Sequence, residues 1–169
     1  GGNIFNEVFA FPENHQNYYR LDLGPELTLL TLNTETSIVG DQLEWLQEQL
    51  PGARAEKRWL LAQYHRPAFP AVKQPWLNRV HWVPLFEQND VDLVCEGDGH
   101  NIKRTAPVRG YKINPTGVVY IGEGGLGVGQ RTPKAHRWYL NAPQAKVGQG
   151  HHVQLLTFNQ TSLLYQVVL

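Results

Sequence analysis

The hydrophobic and polar positions of this chain follow two periods in turn, and the changes of period mark out its elements. Glu26 to Asn33, ELTLLTLN, alternates Leu with Thr before an apolar end, the pattern of a strand. From Asp41 the period lengthens. Leu43, Leu46 and Leu50 fall at i, i+3 and i+7 with Trp45 beside them, a helix stripe that Asp41 caps and Pro51-Gly52 stops. Trp59 to Tyr64, WLLAQY, reads as a buried strand that delivers His65 at its end. Pro67, Pro70 and Pro75 then make a rigid loop. Trp76 to Gln88 is expected to be a helix despite Pro84, with Leu77, Val80, Pro84, Leu85 and Phe86 towards a core.

Val91 to Cys95 is a short apolar, β-branched run, which suits a strand covered on both faces, as in a parallel sheet. Beyond it the spacing predicts hairpin-like strands, Val108 to Ile113 and Val118 to Ile121 around a turn at Asn114 to Gly117. A last pair runs from His151 to Phe158 and from Leu163 to Leu169. Strands and helices in this alternation predict an α/β or α+β fold, and no repeat or linker divides the chain, so one domain over residues 1–169 is expected.

Composition narrows the function. A chain of 169 residues is the size of one domain and buries roughly 70% of its unfolded surface. Fifteen basic residues balance fifteen acidic ones and no basic run occurs, which argues against nucleic acid or an anionic membrane as a partner. Cys95 is the sole cysteine, so an intrachain disulfide or a structural zinc cluster is excluded and the redox compartment stays open. No apolar run approaches the roughly 20 residues of a membrane span, and the first residues lack the layout of a signal peptide.

The chemistry gathers in Asn89 to Thr105, NDVDLVCEGDGHNIKRT. Where the apolar run stops, Gly97 and Gly99 let the backbone turn sharply beside Asp98 and His100. If the segment is extended, residues i and i+2 share a side, so this carboxylate and imidazole address one ion or substrate. His65, at another strand end, is expected at the same sheet edge, where open α/β sheets carry their functional residues. Imidazole with carboxylate suits Zn, Mn or Fe. Asp98 either coordinates directly or orients a ligand by accepting a hydrogen bond from it. Asn101 and Arg104 flank the motif within reach of a phosphate, but a structural role, with Arg104 pairing with a surface carboxylate, is the stronger expectation from the residues alone. The other histidines, His15, His81, His136, His151 and His152, have no chelating spacing. Gly122 to Gly129 lacks a Gly-Lys-Ser/Thr and reads as a tight sheet turn, and no Gly-x-Ser-x-Gly supports a serine hydrolase.

VDLV followed by Gly97-Asp98-Gly99-His100-Asn101 and Arg104-Thr105 resembles the last metal motif, Gly-His-x-His, of the calcineurin-like metallophosphoesterases, in particular the purple acid phosphatase-like branch, with aspartate in place of the first histidine. WLLAQYHRPAF at Trp59 to Phe69 resembles that family's strand ending in a metal-binding histidine. Asn33-Thr34-Glu35 with Gly40 to Leu46, and GVVYIGEGG at Gly117 to Gly125, match two further segments in order. FAFPENHQNYYRLDLG near the N-terminus, with Phe5, Phe9 and Phe11 before it or within it, resembles the stretch after the family's Gly-Asn-His motif.

The resemblance implies the C-terminal half of an αββα sandwich with a mixed sheet and helices outside, the half with the first metal motifs being absent. It implies hydrolysis of a phosphate ester by a metal-bound hydroxide on two ions, Fe, Mn or Zn, in the complete domain. His65, His100 and Asp98 are the implied ligands, with Asn101 and Arg104 towards a small phosphate-ester substrate. Three ligands hold one ion and not a pair, so activity is expected to require a missing N-terminal half or a homodimer partner. A non-catalytic interaction domain with a degenerate metal site is the alternative. Family analogy favours a secreted or periplasmic location.

Overall fold

The structure is a computed structural model that describes residues 7–8 and 17–169. Phe5, Phe9, Phe11 and His15 lie outside the described residues. The first strands are β1 (Tyr19–Leu23) and β2 (Leu27–Thr31), followed by helix α1 (Asp41–Glu56) and β3 (Trp59–Tyr64). Two short helices, α2 (Asn78–His81) and α3 (Val83–Gln88), precede β4 (Leu93–Glu96) and β5 (Ile102–Arg104). Then come β6 (Val108–Arg109), β7 (Lys112–Ile113), β8 (Val119–Gly122) and β9 (Lys146–Gly148), and finally β10 (Val153–Phe158) and β11 (Leu163–Val168).

Seven strands make one mixed sheet in the order β1-β2-β3-β4-β8-β5-β9, with β2, β3, β4 and β8 parallel and the flanking pairs antiparallel. The parallel strands are mostly apolar, with Thr28, Gln63 and Glu96 among the polar interruptions, because both of their faces are covered. Leu60, Ala62, Val94 and Tyr120 face the side where Leu46, Leu50 and Ala53 of α1 pack with Trp82, Val83 and Phe86. Leu61, Leu93 and Ile121, their neighbours in sequence, face the opposite side, where Leu156, Phe158, Leu163 and Tyr165 of the β10–β11 hairpin lie. The result is helices, sheet and hairpin in three layers, an α/β arrangement of the expected class.

Several elements differ from the sequence pattern. Helix α1 runs through Pro51 and Gly52 to Glu56. Proline removes one backbone donor, but Leu46, Leu50 and Ala53 are fully buried, and Arg54 closes the end by donating to the Lys57 carbonyl at 2.6 Å and the Asp92 carboxylate at 3.0 Å. Gly40, not Asp41, holds the N-cap position, and Asp41 and Glu44 sit in the first turn, where the helix dipole favours negative charge. The helix expected over Trp76 to Gln88 is two helices breaking at Trp82. It buries Asn78, Trp82, Val83 and Phe86 and leaves Leu77 and Val80 exposed. The hairpin expected from Val108 to Ile121 is also revised. Its short arms are β6 and β7 around Gly110 and Tyr111, while β8 leaves them to enter the central sheet beside β4. A strand buried against β4 on one edge and β5 on the other satisfies more backbone groups than a free hairpin arm does.

Trp82 has no exposed surface, stacks edge-on against Tyr64 and donates its indole N–H to the Ile38 carbonyl at 2.9 Å. Trp82→Ala is expected to cost about 3–5 kcal/mol in urea unfolding, and Val80→Ala, on the exposed side of the same segment, less than about 0.5 kcal/mol.

Candidate metal centre

His65 leaves the carboxyl end of β3 and Asp98 stands two residues past the carboxyl end of β4, so adjacent parallel strands bring them to one edge. The Gly97 N–H donates to the His65 carbonyl at 2.9 Å, and a Cβ at Gly97 would stand 2.9 Å from His65 Nδ1. A side chain there would crowd the His65 ring and carbonyl, so glycine lets the two segments approach closely. His65 Nε2 lies 3.6 Å from Asp98 Oδ1. The same oxygen accepts a hydrogen bond from the Lys73 ammonium at 2.5 Å, and the Asp98 carbonyl accepts from the Arg131 guanidinium at 2.7 Å. Next to this group Arg66 forms a two-pronged ion pair with Glu35, at 2.7 and 2.8 Å, which holds the Glu35 carboxyl below its ordinary value. Thr31, Gln63, Cys95 and Gly124 line the adjoining cleft. Burial pushes the Cys95 thiol up to about 12, so it stays protonated and is no ready metal ligand.

Asp98 and His100 are not related as the extended reading required. Strand β4 ends at Glu96, and both residues take left-handed backbone angles, φ 68° and 57°. The i to i+2 rule applies to strands and fails in such a turn. The His100 N–H donates to the Glu123 carbonyl at 3.1 Å, and its Nδ1 lies 3.1 Å from the Gly129 carbonyl. Among the described residues no three His, Cys, Asp or Glu side chains stand close enough to hold a metal ion. The structure therefore pairs His65 with Asp98 and does not join His100 to them in such a group. As they stand, two donors with an ammonium on the shared oxygen do not fit a metal ion.

Asn101 is fully buried, its side-chain amide donating to the Gly99 carbonyl at 2.9 Å and facing Glu123 at 3.3 Å. Arg104 reaches the Gln144 carbonyl and lines the cavity between sheet and hairpin with Trp59, Ile102 and Tyr165. Neither is brought to His65. Sequence reasoning passed over Lys73, which sits in the proline-rich loop with no motif to mark it, and Glu96, Lys103 and Glu123. The last three are charged residues inside or just beyond apolar strands, a signal that was available.

No protein-family model matches the chain. Purple acid phosphatase 23 of Arabidopsis thaliana is 31% identical over 134 residues, covering 72% of this chain and 29% of that protein. Among solved structures, the purple acid phosphatase of yellow lupin (Lupinus luteus) seeds superposes with a TM-score of 0.81 at 21% identity, over 96% of this chain and 32% of that one. The Plasmodium inner membrane complex anchor GAP50 shares the fold, with a TM-score of 0.63 at 11% identity over 90% of this chain and 49% of its own. The sequence similarity to purple acid phosphatase 23, together with the shared fold, places the chain among the calcineurin-like metallophosphoesterases. Within them the chain belongs to the purple acid phosphatase-like branch and corresponds to its C-terminal part. It spans under a third of either purple acid phosphatase.

Gly99 tests how tightly this turn is built. A Cβ there would stand 1.4 Å from Glu123 Oε2 and 2.7 Å from its Cβ, whereas one at Gly129 would meet nothing within 4 Å. Gly99→Ala is expected to destabilise the protein by about 1–3 kcal/mol or more in chemical denaturation, and Gly129→Ala by less than about 0.5 kcal/mol.

Proposed function

We propose that residues 1–169 form a single partial phosphoesterase domain that carries the His65 and Asp98 side of a phosphate-ester hydrolase site. The observation that carries this is the 3.6 Å approach of His65 Nε2 and Asp98 Oδ1 at neighbouring carboxyl ends of parallel strands, in a chain of this family. In this reading a complete domain takes two ions, Fe, Mn or Zn; His65 and Asp98 do not fit one while Lys73 holds Asp98, and the further donors come from the remainder of a longer protein or from a second copy of this chain. The substrate class is a small phosphate ester, with Lys73, Arg66 and Arg131 supplying positive charge around Asp98. Of the same motif, His100 and Asn101 support the turn through Glu123, while Arg104, held at the Gln144 carbonyl, stands apart from it. Export from the cytoplasm follows the same analogy; among the described residues no helix is long and apolar enough to cross a membrane.

A non-catalytic interaction domain is the second reading, favoured by the Lys73 ammonium, which occupies the place beside Asp98 that a cation would take. p-Nitrophenyl phosphate hydrolysis with added Mn, Fe or Zn separates the two. In the protein that contains this chain together with its further donors, His65→Ala and Asp98→Ala are each expected to lower kcat/KM on the order of a hundredfold. The isolated chain is expected to stay near the uncatalysed rate. Turnover indifferent to both substitutions sinks the hydrolase reading, and absence of turnover and of metal binding in the longer protein establishes the interaction domain.

A further inference from the structure

Lys103, the middle residue of β5, has no exposed surface although its side chain carries a charge. Its Nζ donates to the Phe69 carbonyl at 2.9 Å, lies 3.0 Å from Glu123 Oε1 and contacts Glu96 Oε2 more closely still. Both carboxylates are fully buried too. Burial alone would lower the lysine's pKa, yet the fields of Glu123 and Glu96 outweigh it and hold the group above its ordinary value.

Each partner ties down a different segment. Glu96, the last residue of β4, accepts hydrogen bonds from the Tyr64 hydroxyl at 2.8 Å and the Ala68 N–H at 2.7 Å. Glu123, just past β8, accepts from the Ala71 N–H at 2.7 Å, and its main-chain carbonyl receives the His100 N–H. The ammonium thus joins the end of β3, the loop over residues 67–71, the end of β4, β5 and the turn after β8. His65 adjoins Tyr64, Asp98 is two residues from Glu96, and His100 hangs from Glu123. All three residues of the candidate site are one or two covalent or hydrogen-bonded steps from the network.

We infer that Lys103 is a positioning residue that acts as the internal cation of this sheet edge, holding His65, Asp98 and His100 in place without any bound metal ion. The inference rests on these contacts and not on the hydrolase reading, and its test uses no enzyme activity.

Lys103→Met leaves two buried carboxylates uncompensated and is expected to unfold or loosen the chain. The decisive variant is Lys103→Met with Glu96→Gln and Glu123→Gln, in which the amide oxygens still accept from Ala68 and Ala71 and no net charge is left buried. It is expected to fold by circular dichroism, yet to exchange the Ala68, Ala71 and His100 amide hydrogens about tenfold faster or more than the unchanged protein, and to shift the His65 ring resonances. The unchanged protein is expected to keep its protection at these amides after exhaustive treatment with EDTA. Wild-type protection in the triple variant overturns the inference, and so does loss of protection with EDTA. A triple variant that does not fold overturns it as well, because the ammonium would then support the whole molecule and not this edge.

Discussion

A lysine ammonium closed off from water, between two equally buried carboxylates, is the interaction on which the candidate site depends. Such a group is costly to assemble, since each ion gives up its hydration and two negative charges face one positive charge. The excess is met by polarised donors: the Ala68 and Ala71 N–H groups, the Tyr64 hydroxyl and the Asn101 amide. Once assembled, the cluster tolerates little displacement, because moving any one member leaves another charge buried and unpaired. That rigidity explains why the Gly99 position has no room for a methyl group against Glu123, and why the loop over residues 67–71 stays against the sheet without helix or strand of its own.

The consequence for chemistry is a division of labour between depth and surface. Beneath the edge, Lys103 fixes the backbone. At the edge, Asp98 is shared by the Lys73 ammonium and the His65 imidazole, and Arg66 is engaged by Glu35. His65, Lys73, Arg66 and Glu35 are exposed to solvent, which weakens these contacts, so they yield to a competing ligand where the buried network does not. The fold does not decide which ligand arrives. A phosphatase from lupin and an anchor from Plasmodium both superpose on this chain, and at those identities the superposition speaks for architecture alone.

Much of the architecture was legible in the chain's pattern. The strand at Leu27–Thr31 announced itself by its alternation of Leu with Thr, those at Trp59–Tyr64 and Leu93–Glu96 by short apolar runs, and the last hairpin by two strand-like stretches around Asn159 to Ser162. The family, too, was readable from four short segments in order. Local rules misled where tertiary burial outweighed them. Pro51 and Gly52 are strong stop signals, but Leu50 and Ala53 on either side bury completely and carry the helix past them. Leu77 and Val80 have helical spacing, but the core is filled by Trp82 and Val83, and they remain outside.

By itself, then, the sequence determined which residues could form the sheet, that His65 would stand at a strand end and that aspartate replaces a histidine in the glycine-rich turn. Only the tertiary structure decided what those residues meet. Asp98 found Lys73, 25 positions away in the chain, and Lys103 found Glu123 just past the end of the neighbouring strand β8. Periodicity reports which face of an element a side chain occupies; pairing of charges depends on distances between elements, and these exist only once the layers have packed.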